Sequence, residues 1–186
     1  MKRKIFITVS VTLFVGLFLF SFSTYVPTHE TGSFKYVGAV KCAGACHKSD
    51  AQGKQLDIWQ SSKHANAWKV LESPEADKIA KDKGFDSKAV ETPACIKCHV
   101  LGKDLDPAEF TESFDKTQGV QCESCHGPGS EYKAMSIMKD KQKAIENGMI
   151  DVSGEAACTG CHNDGSPTFK GFNYAEMWAK IQHKKP

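Results

Sequence analysis

Hydrophobic residues are unevenly spread along this chain. Residues 5–22 are eighteen consecutive uncharged residues, five of them phenylalanine, directly after Met1-Lys2-Arg3-Lys4. A basic flank, an apolar run and the small residues Ser21 and Ser23 ahead of Thr24 make the pattern of an export signal. Eighteen residues exceed the usual apolar region of about 7–15 and reach the lower limit of a membrane span, about 17–25. Residues 1–23 therefore read either as a cleaved export signal or as an N-terminal membrane anchor. Both readings place residues 24–186 outside the cytoplasm, in the periplasm or an equivalent compartment. No second apolar run follows, so that part reads as soluble.

Beyond the leader the patterning is helical and interrupted. Residues 24–36 are polar. Gly53 to Leu71 predicts one helix, with Leu56, Trp59, Ala67, Trp68 and Leu71 on or near one face. Ser73-Pro74 supplies an N-cap and a first-position proline for a second helix that stops near Gly84. Residues 86–94 and 100–120 read as irregular, with a helical turn at Pro107–Phe110. Gly127-Pro128-Gly129 forces a sharp turn, after which Ser130 opens a helix to about Asn147, closed by Gly148. Asn173 with Glu176 three residues on opens a last helix to about His183. Alternating strand patterns are missing, so the fold class is mainly α with few or no strands.

Composition changes this picture in two ways. The formal net charge of +2 depends on Lys2, Arg3 and Lys4; without those three, 21 basic residues face 22 acidic ones, a net of −1. Bulk charge thus points to no nucleic-acid partner. The apolar fraction of 40% is likewise inflated by the leader, and what remains is lean for a self-sufficient core. Against that lean background the chain has eight cysteines.

The cysteines fall into four local pairs: Cys42/Cys46, Cys95/Cys98, Cys122/Cys125 and Cys158/Cys161. Each pair is followed at once by a histidine, His47, His99, His126 and His162. Histidine is only 7 of 186 residues, so chance does not place one after every pair. C-x-x-C-H is the attachment signature of c-type haem. Two thiols add to the two vinyl groups of one porphyrin edge, and the adjacent histidine becomes the proximal iron ligand. Four disulfides in a small exported chain or zinc held by CxxC pairs would leave all four histidines idle. The first motif has three intervening residues instead of two. Ala43-Gly44-Ala45 is small and flexible enough to bulge the extra residue outward.

The cofactors implied are four covalent haem c groups with their irons. Residues 24–186 number 163, about 41 per haem. That is too little polypeptide to wrap each group separately, so the core is expected to be built largely from four closely packed haems, a geometry that permits electron hopping.

Each iron has a second axial position. With four histidines used as proximal ligands, only His29, His64 and His183 remain, so at most three irons can be bis-histidine within one chain. His64, beside Trp59 and Trp68, and His183, at the end of the last amphipathic helix, are the leading distal candidates. The bland alternatives are a surface histidine and a C-terminal helix-dipole partner. His29 reads as a plain polar residue near the leader junction. Met135 and Met138, at i and i+3, are either core filler or a sulfur ligand.

At these residues the chain resembles a known family. Tyr36-Val-Gly38, Cys42…Cys46-His47, Trp59…His64-Ala65-Asn-Ala67 and Gly119-Val-Gln-Cys122-Glu-Ser-Cys125-His126-Gly-Pro-Gly129 are similar to the tetrahaem cytochrome c-554 family. The later motifs and the terminal helix fall in the same order. The resemblance implies a periplasmic, mostly helical electron carrier with haems stacked in pairs, most of them bis-histidine and one five-coordinate, with His64 and His183 as distal ligands. Its best-known members accept electrons from hydroxylamine oxidoreductase. Three departures stand out. One is the longer first motif. A second is Ser-Glu-Tyr132-Lys-Ala-Met135, where the family commonly carries a histidine after the Gly-Pro-Gly turn. The third is Asp151-Val-Ser-Gly, where another histidine is missing.

The expected function is an exported tetrahaem c-type cytochrome, more a carrier than an enzyme, passing electrons between donor and acceptor proteins that the sequence does not identify. One alternative is redox catalysis on a small nitrogen or oxygen species at a five-coordinate haem. Another is a subunit of an extracellular cytochrome filament, in which an oligomer would make up the ligand deficit.

Overall fold

The computed structural model describes residues 34–44, 47–104 and 106–183. The leader 1–23, His29 and Cys46 lie outside the described residues. Among those described, the secondary structure is helical, in ten short α-helices and a few 3-10 turns. An isolated bridge between Tyr36 and Phe110 stands outside any strand. No helix among the described residues is long and apolar enough to cross a membrane.

The first two α-helices are α1, Ala39–Cys42, and α2, Gln55–Gln60, with α3, Ala67–Leu71, next. The single helix expected over 53–71 is thus two, broken at Ser61–Asn66. Ser61 Oγ donates to the Asp57 carbonyl at 2.8 Å and Ser62 Oγ to that of Trp59 at 2.6 Å. Such hydroxyls compete for the carbonyls that would continue a helix. The His64 carbonyl accepts from Val120 N at 3.0 Å. Gly119 makes this approach feasible: at φ +72, a Cβ there would lie 2.6 Å from the His64 oxygen.

Helix α4, Pro74–Asp82, forms as expected: Ser73 Oγ accepts from Ala76 N at 3.2 Å, and Pro74 opens the helix. Then come α5, Pro93–His99, and α6, Cys122–His126. The helix expected from Ser130 to Asn147 is replaced by α7, Met135–Met138, and α8, Lys141–Glu146. Ser130 does not cap it. Its hydroxyl accepts from Lys35 N at 2.9 Å, and Asp140 caps α8 instead through Lys143 N at 3.2 Å. The last two are α9, Ala156–Thr159, and α10, Tyr174–Ile181. Asn173 Oδ1 accepts from Glu176 N at 3.2 Å, the expected start of the terminal helix.

The apolar core is small. One cluster joins Tyr36, Trp68, Val100 and Leu101, with Phe110 and Phe114 against it. A second joins Leu71, Ala76, Ala80 and Ala89. Helix α3 packs on α5 and on the turn Lys116–Gln118, and α1 packs on α6. Beyond Met149, no described residue is buried.

Candidate haem centres

Helix geometry explains why the motifs can act as units. In α5, Cys95 and Cys98 are i and i+3 and His99 is i+4 from Cys95, so all three share one helical face. The same holds for Cys122, Cys125 and His126 in α6. In the fourth motif Cys158 lies in α9, with Cys161 and His162 in the turn that follows. Cys42 closes α1, and His47 lies in a turn whose carbonyl accepts from Leu56 N at 3.1 Å. All the described cysteines are free thiols.

Folding brings these motifs together: the first with the third, the second with the fourth, and Cys125 of the third beside Cys158 of the fourth. The thiols of Cys42 and Cys122 meet, a contact that with burial pushes the Cys42 thiol up and that, against burial, pulls the Cys122 thiol down. In the same way Cys98 and Cys161 interact, and burial pushes Cys161 up to about 12. The first motif therefore neighbours the third, and the second neighbours the fourth.

The histidines are also placed in pairs. The rings of His64 and His162 lie 6.0 Å apart, centroid to centroid, at 55°. Those of His126 and His183 lie 5.8 Å apart at 60°. A metal–imidazole bond is about 2.0–2.1 Å, so a separation near 6 Å is what two rings sharing one metal ion require. Burial lowers the pKa of His64, His126 and His162; the neighbouring ring lowers His64 and His126 further. Neutral imidazole is the form that binds metal.

Tautomers are set in two places. His99 Nδ1 donates to the Ala67 carbonyl at 2.7 Å, and His183 Nδ1 to that of Ile181 at 3.0 Å. Occupying Nδ1 in this way leaves Nε2 as the ligand atom. Among the described residues His47 and His99 meet no second histidine in a ring pair. Met138 is half-buried and Met135 is 61% exposed. Tyr132, where the family commonly carries a histidine, is buried, and its hydroxyl donates to the Gly127 carbonyl at 3.0 Å.

A family model described as cytochrome c554 and c-prime matches residues 41–127. The cytochrome c-554 of Nitrosomonas europaea is 32% identical over 148 residues, 71% of this chain and 60% of that protein. Both matches support the cytochrome c-554 family. The C-type polyheme cytochrome OmcC of Geobacter sulfurreducens is 30% identical over 105 residues, 50% of this chain and 13% of that protein. The chain thus spans less than two thirds of the length of either relative. No solved structure matches it.

A cytochrome of this family implies haem c, and the residues present fit that group. Each described motif offers a thiol beside an imidazole, two imidazole pairs stand at metal-sharing distance, and backbone carbonyls fix the Nδ1 atoms of His183, a member of one pair, and of His99. Sequence reasoning missed the polar residues inside the third motif. Gln121 Oε1 accepts from Ala39 N at 2.7 Å, and its Nε2 donates to the Asp115 carbonyl at 2.8 Å. Ser124 Oγ donates to the Val100 carbonyl at 2.6 Å. Glu123, described below, is as deeply placed. Their signal was the near-identity of Gly119–Gly129 to the family, which extends past the cysteines and histidine to the residues between them. Phe172, stacked on His162 at 4.8 Å, gave no sequence signal.

Proposed function

We propose that this protein is an exported tetrahaem c-type cytochrome that carries electrons between redox partner proteins. The observation that carries this reading is the pairing of His64 with His162 and of His126 with His183 at about 6 Å. Haem iron supplies the one-electron chemistry. The chain does the rest. Cys42 and Cys46, Cys95 and Cys98, Cys122 and Cys125, and Cys158 and Cys161 hold the four groups. His47, His99, His126 and His162 are the proximal ligands. His64 is the distal ligand opposite His162, and His183 the one opposite His126. The contact of the first motif with the third, and of the second with the fourth, supports haems packed in two pairs. Residues 1–23 carry residues 24–186 out of the cytoplasm, whether or not they remain as an anchor.

A second reading has its own observation: His47 and His99 lack a paired ring among the described residues. One of those irons would take Met135 or Met138, or stay open to a small nitrogen or oxygen species.

The test is the protein matured with its haems, weighed and examined by EPR. A mass of the chain plus four haems is expected, with two bis-histidine low-spin signals. His64→Ala and His183→Ala each convert one of them to high spin, whereas Met138→Ala and Met135→Ala leave both in place. A mass below four haems, or unchanged spin states in both histidine variants, refutes the assignment. Cyanide binding by the unaltered protein favours the second reading.

A further inference from the structure

Glu123 sits between the two cysteines of the third motif and is 2% exposed. Its Oε1 accepts from Val37 N at 2.9 Å and Gly129 N at 2.7 Å. Its Oε2 accepts from Val37 N at 3.0 Å and Gly38 N at 2.7 Å. Every hydrogen bond to this carboxylate thus comes from a donor. A protonated carboxyl would aim its own O–H at an N–H, so the site is built for the ionised form. Burial pushes the Glu123 carboxyl above the usual glutamate value, and the three amides and the exposed Lys133 pull against it; the donor-only geometry is what favours the charged form. The amides offer dipoles and leave a whole negative charge in place.

That charge lies in the electrostatic field of Cys42 and Cys122 and of the buried Tyr132. Those two cysteines are attachment points of the first and third haems. Among the described residues the other pair has no buried counterpart. Around Cys95, Cys98, Cys158 and Cys161 the acidic group that acts is Glu155, on Cys158, and Glu155 is exposed. Water and salt screen an exposed charge, whereas a buried one acts through a poorer dielectric.

Resting on the haem reading above, we propose that Glu123 is a fixed buried anion that holds the reduction potentials of the first and third haems below those of the second and fourth. A nearby negative charge favours the ferric state, which carries one positive charge more than the ferrous. Burial and surrounding charge are among the means by which a protein tunes haem potential. Electrons entering at the first or third haem then run downhill to the second and fourth. The asymmetry gives the relay a direction.

The experiment is a potentiometric titration of the matured protein, followed optically as four one-electron steps. In Glu123→Gln, two of the four steps become at least tenfold easier, an upward shift of about 59 mV or more for a one-electron couple, and the other two stay put. Glu123→Asp, which keeps the charge, leaves all four at their original values. A common shift of all four, no shift, or an equal rise in the aspartate variant overturns the proposal. Should Glu123→Gln fail to accumulate, Lys133→Glu, titrated at low salt where an exposed charge is screened least, adds a negative charge beside the same pair from the surface. It should lower the same number of steps and leave the others unmoved; a uniform change or none overturns the proposal equally. A wild-type mass short of four haems would refute the haem reading instead, so the two failures are distinguishable.

Discussion

Two regions of this molecule are built on different principles. Around the third motif the polypeptide satisfies itself. Glu123 gathers the amides of Val37, Gly38 and Gly129, Gln121 links Ala39 to Asp115, and Ser124 reaches Val100. Segments more than eighty positions apart are fastened by buried polar groups whose bonds are complete. From residue 152 onward the opposite holds. No described residue there is buried, and every backbone hydrogen bond those residues make spans four positions or fewer. What ties this part to the rest is His162 against His64, His183 against His126, and Cys161 beside Cys98. These contacts coincide with the proposed haem sites. On the proposed haem reading, the part from residue 152 onward is the one that relies most on the cofactors.

The strongest way to break this comparison is to remove the proposed fourth haem site. In Cys158→Ala/Cys161→Ala, amide protection and resistance to proteolysis should be lost across 152–183. Residues 36–39 and 93–129 should keep theirs, because their bonds do not run through that site. Hydrogen exchange read by mass spectrometry checks this. Equal loss in both regions would mean that the third-motif hub also depends on the fourth haem.

A smaller effect is expected from the hub itself. Glu123→Ala strands three buried amides, each worth about 1–3 kcal/mol, so denaturant unfolding of the matured protein should show a loss of roughly 3 kcal/mol or more. Glu155→Ala, an exposed carboxylate by the fourth motif, should stay within about 0.5 kcal/mol. Similar losses in the two variants would erase the contrast.

The smallest effect concerns pH. Asp115, whose carbonyl accepts from Gln121, also caps the turn Lys116–Gln118: its Oδ1 accepts from Thr117 Oγ1 at 2.7 Å and Thr117 N at 2.9 Å. Those bonds hold its carboxyl below the usual aspartate value. A lowered folded-state value stabilises the protein above the ordinary aspartate pKa, about 3.9, and that contribution is lost as pH falls through the folded value. Thr117→Val should reduce the contribution by at most about 0.5 kcal/mol, since solvent screens so exposed a group. Acid unfolding curves of the two proteins, compared below pH 4, measure it; a larger loss at neutral pH would assign Thr117 a packing role instead.

Local rules were legible where one segment contained all the partners. Ser73-Pro74 opened α4 and Asn173 opened α10, because an N-cap needs only a side chain and an amide three residues away. The same rules failed at 53–71 and 130–147. There the decisive partners were remote: Val120 reaches the His64 carbonyl, and Lys35 takes the Ser130 hydroxyl that would otherwise cap a helix. Helical periodicity does not register such competitors.

The sequence by itself determined the chemistry. Thiol addition and proximal ligation need cysteines and a histidine at fixed short spacing, and short spacing is a property of the chain alone. It also set the shortage of histidines, since a count needs no coordinates. Only the tertiary structure decided who stands beside whom: His64 with His162, His183 with His126, the first motif with the third, and Glu123 with the amides of Val37 and Gly38. The histidine partners are 98 and 57 positions apart in the numbering, and Cys42 and Cys122 are 80 apart. Their meeting depends on where the backbone turns and which buried polar groups hold it there, and that information belongs to the whole fold.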